Sequence, residues 1–428
     1  MEINGWDPKD RSSRWDRVLA SRIGYRLWNS WICERDSILI SLLFIFWIAV
    51  GSIHLGMPLA YFGVMKRIGK GRGYNLSTKS DRQPTISIII PTYNEATVIK
   101  EKLSNISLSD YPSDRMDVIV VDSGSTDSTA NLARDFFSQN NLKGQVVEEK
   151  ERSGKSGALN IGLKHALGEL VCISDAECKW DRQALGNAAR YLSDPTVGSV
   201  SGVHHISSSN ETMAGNVEGS YRSIYRMLRI TESKLHSTPV GEGEIQLFRR
   251  RDITGFDPNV GGDDTCAALC MIEKGFRAIS AEDVVFFDPA PPAWGIRFTQ
   301  KIRRGQHVLQ AFLKHKRLLS GKNIFSRVIF PMEFFIYAVN PIIFPIFIFL
   351  TGWVMITNPL IAALIAIGAA IVVAVPNLRT TASTYLSNNV TMLAAIIQEA
   401  RGNKQLVWTK IEENRRNRKT IDAPMITQ

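Results

Sequence analysis

At 428 residues the chain exceeds one ordinary compact domain and has room for one large catalytic domain plus a second region. Lys and Arg number 51 against 41 Asp and Glu, a formal net charge of +10, and 44% of the residues are apolar. Much of the positive charge flanks apolar runs and does not interleave with aromatic residues; this excludes a nucleic-acid partner and favours membrane lipids.

Residues 1–37 form a tail that holds Arg14, Arg17, Arg22 and Arg26, with an interfacial helix as one option. From 38 to 65 the sequence reads ILISLLFIFWIAVGSIHLGMPLAYFGVM, with His54 its only readily ionisable side chain. That is longer than the roughly 20 residues a bilayer-spanning helix needs. It is too long for a signal-peptide core and no small-residue cleavage site follows it, so a retained transmembrane helix is expected. Lys66, Arg67, Lys70 and Arg72 come next, a basic flank of the kind that marks the cytoplasmic side.

Between 84 and 290 the period changes. Short β-rich apolar runs (Ile86–Ile90, Met116–Val121, Gly144–Val147, Leu170–Ser174, Gly198–Val203) alternate with helical patterns over Glu95–Asn105, Ser128–Gln139, Lys155–Leu167 and Arg182–Leu192. The alternation predicts an α/β fold, a mainly parallel sheet flanked by helices. Ligands of such sheets sit at the carboxyl ends of the strands, and the informative residues follow the strands. Pro91-Thr92-Tyr93-Asn94-Glu95 comes after the first run and Asp122-Ser123-Gly124-Ser125-Thr126-Asp127 after the second, the latter also a good turn and N-cap. Asp175-Ala176-Glu177 follows the fourth. Two carboxylates at i and i+2 project to one side and repel unless a cation or hydrogen-bond donors intervene. A hard divalent ion, Mg2+ or Mn2+, bridging to substrate phosphate is one resolution; a helix cap beside a solvated Glu177 is the other.

Gly261-Gly262-Asp263-Asp264-Thr265 opens an apolar helical stretch. Its acids are either plain caps favoured by the helix dipole or a general base aimed into the cleft. Residues 294–320 combine Phe298, Ile302, Leu309, Phe312 and Leu313 with Arg297, Lys301, Arg303, Arg304, Lys314, Lys316 and Arg317, a basic amphipathic helix suited to the membrane interface. The apolar region 328–376 is interrupted at Thr357, Asn358 and Pro359, which gives two candidate spans, Phe334–Ile356 and Leu360–Val375. Residues 380–428 hold a segment, Thr380–Ala400, too polar for a clear span, and a basic tail, expected to be interfacial and cytoplasmic. The five cysteines, Cys33, Cys172, Cys178, Cys266 and Cys270, form no Cys-x-x-Cys pair and no Cys/His cluster along the sequence, so they read as small core residues with no structural zinc expected.

In this order, SIIIPTYNE, VIVVDSGSTDST, RSGKSGALNIGL, ISDAE, GGDDT and QKIRRGQ resemble the family 2 glycosyltransferases, in particular the membrane branch that includes hyaluronan, chitin and cellulose synthases. The resemblance implies a GT-A nucleotide-sugar glycosyltransferase domain, a divalent metal and inversion at the anomeric carbon. It further implies a nucleotide-sugar pocket lined by Pro91, Thr92, Tyr93, Glu95, Asp122, Lys155 and Asp175, and a metal held by Asp175 and Glu177. Asp264 would be the catalytic base, beside Asp263. Gln300, Arg303 and Arg304 would meet the diphosphate and the acceptor, Arg303 with a catalytic role as well. Two departures stand out: Glu177 replaces the usual Asp, and Arg304 stands where the family's Trp offers a face to a sugar. The expected activity is transfer from a nucleotide-sugar donor, on the cytoplasmic face of the cell membrane, to a hydroxyl of a growing glycan or lipid-linked oligosaccharide. A polyprenyl phosphate is the alternative acceptor. A receptor or scaffold that merely binds nucleotides lacks a reason for the full set of acids. With about three spans the membrane region is thin for a secreting channel, although a homo-oligomer could build one.

Overall fold

The computed structural model describes residues 39–78, 83–205, 213–287 and 294–403. The basic stretches within 1–37 and 404–428, Cys33 among them, lie outside the described residues. The chain divides into two compact units, the described part of Met1–Met57 with Ile343–Ile367, and Pro58–Ile342 with the described part of Gly368–Gln428.

The larger unit is built on an eight-stranded sheet of order β3-β2-β1-β4-β7-β6-β8-β5. Its strands are β1 (Ile86–Thr92), β2 (Met116–Asp122), β3 (Gly144–Glu148), β4 (Leu170–Ile173), β5 (Lys179–Trp180), β6 (Val197–His204), β7 (Gln246–Arg249) and β8 (Arg277–Phe287). Strands β1 to β4 pair in parallel, as does β6 with β8, whereas β7 runs antiparallel to both its neighbours and β5 antiparallel to β8. The five strands read from the sequence are all present; β5, β7 and β8 are additions.

Both faces are covered, because successive side chains of each strand point to opposite sides. Ile86, Ile88 and Ile90 of β1, with Val118 and Val120 of β2, join one core with Leu103, Phe136 and Leu185. Those three come from helices α2 (Ile99–Ser107), α3 (Thr129–Gln139) and α5 (Ala184–Tyr191). Ile89, Ile119 and Val121 join the opposite core with Leu159 of α4 (Gly154–His165) and Met271 of α7 (Asp263–Glu273). A third cluster joins α6 (Met213–Leu235), α8 (Trp294–Lys314) and α11 (Pro376–Ala400) through Tyr225, Leu228, Phe312 and Met392.

Two helices of the described residues are long and apolar enough to cross a membrane, α1 (Leu39–Gly69) and α9 (Phe325–Thr357). In the smaller unit Trp47 Nε1 donates to Thr351 Oγ1 at 2.9 Å, and the His54 ring lies 5.6 and 5.2 Å from those of Phe344 and Phe347. Large apolar side chains such as Ile45, Phe349 and Ile356 are exposed, as suits contact with lipid. The helix α10 (Pro359–Ala374) has 16 residues and ends in a 108° bend into α11. The amphipathic helix α8 turns part of its basic set inward: Arg297 is 1% exposed and Lys301 is ion-paired beneath the surface.

Candidate active site

A cleft opens over the carboxyl ends of β1 and β4, lined on one side by Pro91, Thr92, Tyr93 and Glu95. The loops after β1 and β2 hold each other there. Asn94 takes a left-handed conformation (φ 56°), which a short amide side chain tolerates, and its Oδ1 accepts from the Thr126 N–H at 2.7 Å. The Glu95 N–H donates to Thr129 Oγ1 at 2.7 Å, and its side chain is buried. Asp122 accepts from the Ser125 N–H (3.0 Å) and hydroxyl (2.5 Å) and from Thr92 Oγ1 (3.3 Å). Its carboxylate thereby ties the turn, and the residue at the wall of the cleft is its neighbour Ser123. The Arg152 guanidinium lies 3.7 Å over the Tyr93 ring, a cation–π contact at the rim.

The acids converge on one ammonium. Lys155, in the first turn of α4, places Nζ 2.7 Å from Asp175 Oδ1 and 3.4 Å from Asp263 Oδ2. Burial works against its charge, but Asp175, Asp263 and Asp264 together hold its pKa well above the ordinary lysine value. Burial pushes the Asp263 carboxyl up to about 7; Lys155 opposes this, and Asp264 and Asp175 add to it. Asp264 is anchored by two backbone donors, Gly243 N–H to Oδ2 at 3.1 Å and Thr265 N–H to Oδ1 at 2.6 Å. Glu177 lines the same cleft. Arg303 reaches in from α8: burial first, then Arg304, lowers its pKa to about 10, while Glu177 and Asp175 oppose the shift.

Two glycines explain how α8 comes so close. A Cβ at Gly261 would lie 2.1 Å from His307 Cδ2, and one at Gly262 3.1 Å from the His307 carbonyl oxygen. Glycine here lets α8 seat directly against the start of α7.

Beyond the acids the cleft is lined by a stripe of α6, Glu218, Tyr221, Arg222, Tyr225 and Arg229, and by Asn388, Thr391 and Met392 of α11. Glu218 is 2% exposed and accepts from Arg222 Nε (3.0 Å) and Arg297 Nε (3.1 Å), with Lys301 Nζ at 3.2 Å. Burial alone would raise its pKa, but Lys301, Arg222 and Arg297 hold it far below the usual carboxylate range. Arg304 is half exposed, with Nη2 3.8 Å from Glu244 Oε1. Gln300 is not among the lining residues, whereas its neighbour Lys301 is, its Nζ 3.0 Å from the Tyr221 ring centroid. The helical spacing of the α6 stripe is visible in the sequence, but no motif marks it; Arg152 and His307 also carry no signal beyond proximity to one. The expectation of no Cys/His cluster is overturned, because Cys266 and Cys270 of α7 meet His315. Helical spacing brings the thiols together, and the packing of α8 on α7 supplies the histidine.

Carboxylate oxygens are the donors a hard cation prefers, and a bound ion would take Asp175 Oδ1 in competition with Lys155 Nζ, which now sits 2.7 Å from it. Fold and site together define a sugar-transferring enzyme with a GT-A catalytic domain.

Known proteins agree. Residues 87–255 match the model of glycosyl transferase family 2. The solved structure of the mannosyltransferase PcManGT from Pyrobaculum calidifontis, in complex with GDP-Man and Mn2+, is 36% identical, with a TM-score of 0.73. That likeness covers 85% of this chain and 100% of the other. Glycosyltransferase AglE of Haloferax volcanii is 27% identical over 249 residues, 57% of this chain and 78% of AglE. Poly-beta-1,6-N-acetyl-D-glucosamine synthase of Staphylococcus epidermidis is 27% identical over 226 residues, 51% of this chain and 52% of the synthase, so the match spans about half of that relative. The chain belongs to glycosyltransferase family 2.

Proposed function

We propose that this protein is an inverting, metal-dependent hexosyltransferase of the membrane, which moves a sugar from a nucleotide-sugar donor to a hydroxyl of a lipid-linked oligosaccharide or growing glycan. The observation that carries this reading is the convergence of Asp175 and Asp263 on Lys155, with Asp264 fixed beside them at the start of α7. The GDP-Man and Mn2+ of the PcManGT complex support a nucleotide-sugar donor and a divalent ion.

Asp175 and Glu177 would hold Mg2+ or Mn2+, which when bound neutralises charge on the donor diphosphate. Tyr93 and Arg152 offer a stacked surface at the nucleotide end, and Pro91, Thr92 and Glu95 shape the wall. Arg303 supplies a second positive charge toward the leaving diphosphate. Asp264 takes the proton of the acceptor hydroxyl as that oxygen attacks the anomeric carbon from the face opposite the leaving group. The arm sets five bases, Arg222, Arg226, Arg229, Lys301 and Arg304, against three acids, Glu218, Glu242 and Glu244, and this excess of positive charge suits an acceptor with phosphate near the attacking sugar. This same basic arm favours the second reading, a polyprenyl phosphate acceptor, which arrives ionised and needs no base. The catalytic domain and the tail would face the cytoplasm.

Incubating the full-length protein with a panel of radiolabelled nucleotide sugars and membranes, then partitioning lipid from polymer, tests the reading. Transfer should stop on chelation and in Asp175→Asn or Glu177→Gln with the fold retained. Full transfer in excess chelator would end the metal-dependent proposal.

A further inference from the structure

Behind the catalytic acids α7 carries a second set of donors. Cys266 and Cys270 sit at i and i+4 on that helix, and His315 follows the last residue of α8. His315 Nε2 lies 3.4 Å from Cys266 Sγ and 3.8 Å from Cys270 Sγ, and all three atoms lie within 4.8 Å of one another. Cys266 is 4% and His315 2% exposed, so both donors are built into the junction.

We propose that Cys266, Cys270 and His315 form a binding site for Zn2+ that clamps the start of the base-bearing helix α7 to the end of α8. With bonds of about 2.3 Å to sulfur and 2.0–2.1 Å to nitrogen, a tetrahedral ion sets sulfur and nitrogen about 3.6 Å apart. The separations of 3.4 and 3.8 Å bracket that edge, so the ligands need little movement to close on the ion. The imidazole turns Nε2 to the sulfurs, and its Nδ1 lies 3.0 Å from Glu273 Oε2 at an angle that forms no hydrogen bond, so a small rotation of the ring would complete the carboxylate–histidine pair that supports a zinc ligand. Lys314, paired with Asp257 and 3.7 Å from Cys266 Sγ, is 37% exposed and can swing to solvent as a cation arrives. That leaves a fourth position for water or for the Asp257 carboxylate. Both thiols release their protons on binding. Donor softness separates this site from the carboxylate site at the cleft, since thiolates favour Zn2+ and carboxylates Mg2+ or Mn2+. A zinc here would brace Asp264 against Arg303 from behind, without touching substrate.

The full-length protein in detergent, stripped of metal, should take up Co2+ with a thiolate-to-metal charge-transfer absorption in the near ultraviolet, and Zn2+ should erase it. Metal analysis should then find about one zinc per chain. Cys270→Ser and His315→Gln should abolish the band, and Asp175→Asn should keep it. Glu273→Gln should weaken Zn2+ by about 10–100-fold. A readout in the unmutated protein guards against misfolded variants: Zn2+ should protect Cys270, the more exposed of the two thiols, from alkylation as followed by mass spectrometry. Absence of the band together with an unprotected Cys270 would overturn the proposal. So would a band that survives in both Cys270→Ser and His315→Gln.

Discussion

Asp264 has both carboxylate oxygens engaged by backbone N–H groups, so it is held still at the mouth of the cleft. A sugar hydroxyl ionises far above neutral pH, and a fixed base beside it typically contributes about 10²–10⁴-fold in rate. Asp264→Asn keeps the shape, so with a hydroxyl acceptor turnover should fall by about that factor while donor binding persists. Transfer near the parent rate would instead favour an ionised lipid-phosphate acceptor; single-turnover kinetics beside donor titration reads the difference. The paired acids were legible because each followed a strand or opened a helix. Asp122 was legible as a motif residue, but its side chain ties its own turn. Arg152 and His307 were not legible, since each acts through a partner brought up by tertiary packing, Tyr93 for one and Gly261 for the other.

At the scale of elements, the site depends on three helices meeting. Gly261→Ala would drive a Cβ into the half-buried His307 ring, so either the ring or the start of α7 must give way. A shift at the start of α7 should cost about 1–3 kcal/mol by overpacking and displace Asp264. Denaturant melts should show the modest loss, and kcat should fall by more than stability alone accounts for. A parent-like kcat would mean that the close approach of α8 is not needed. Glu218→Gln is the harsher change, because it leaves Arg222, Arg297 and Lys301 around a neutral group in a buried place. Removing one partner of a buried ion cluster costs about 3–5 kcal/mol, so the thermal midpoint should drop clearly. An unchanged midpoint would show that these cations find other acceptors. This cluster was hidden from sequence reasoning: its acid lies on α6 and two of its bases on α8, and α8 read as a surface helix from its basic composition. The strands β5, β7 and β8 escaped for a related reason. The first two are 2 and 4 residues long, and the sequence Arg277–Phe287 lacks a clean period of two, since β8 has register shifts against β6.

At the scale of the whole molecule, the packing of α11 constrains how often the chain can cross the membrane. Gln310 Nε2 donates to Glu399 Oε2 at 2.8 Å, Gln306 Nε2 to the Asn403 carbonyl at 2.9 Å, and Arg297 Nη1 to Ser387 Oγ at 3.1 Å. All three donors lie on α8, which lines the catalytic cleft, so residue 403 lies on the catalytic side. Between α8 and α11 stands α9, long enough to cross. The chain must then return, and the only element left for that among the described residues is α10. At about 1.5 Å per residue its 16 residues reach about 24 Å, less than the roughly 30 Å of the hydrocarbon core. The return leg is therefore short, and the break at Asn358 should sit shallowly on the far side. In sealed vesicles of known orientation, an impermeant maleimide should reach Asn358→Cys from the face opposite the catalytic domain. The same reagent should reach Asn403→Cys only from the catalytic face. Labelling of both positions from one face would mean that α9 does not cross, and the membrane anchor would then rest on α1 alone.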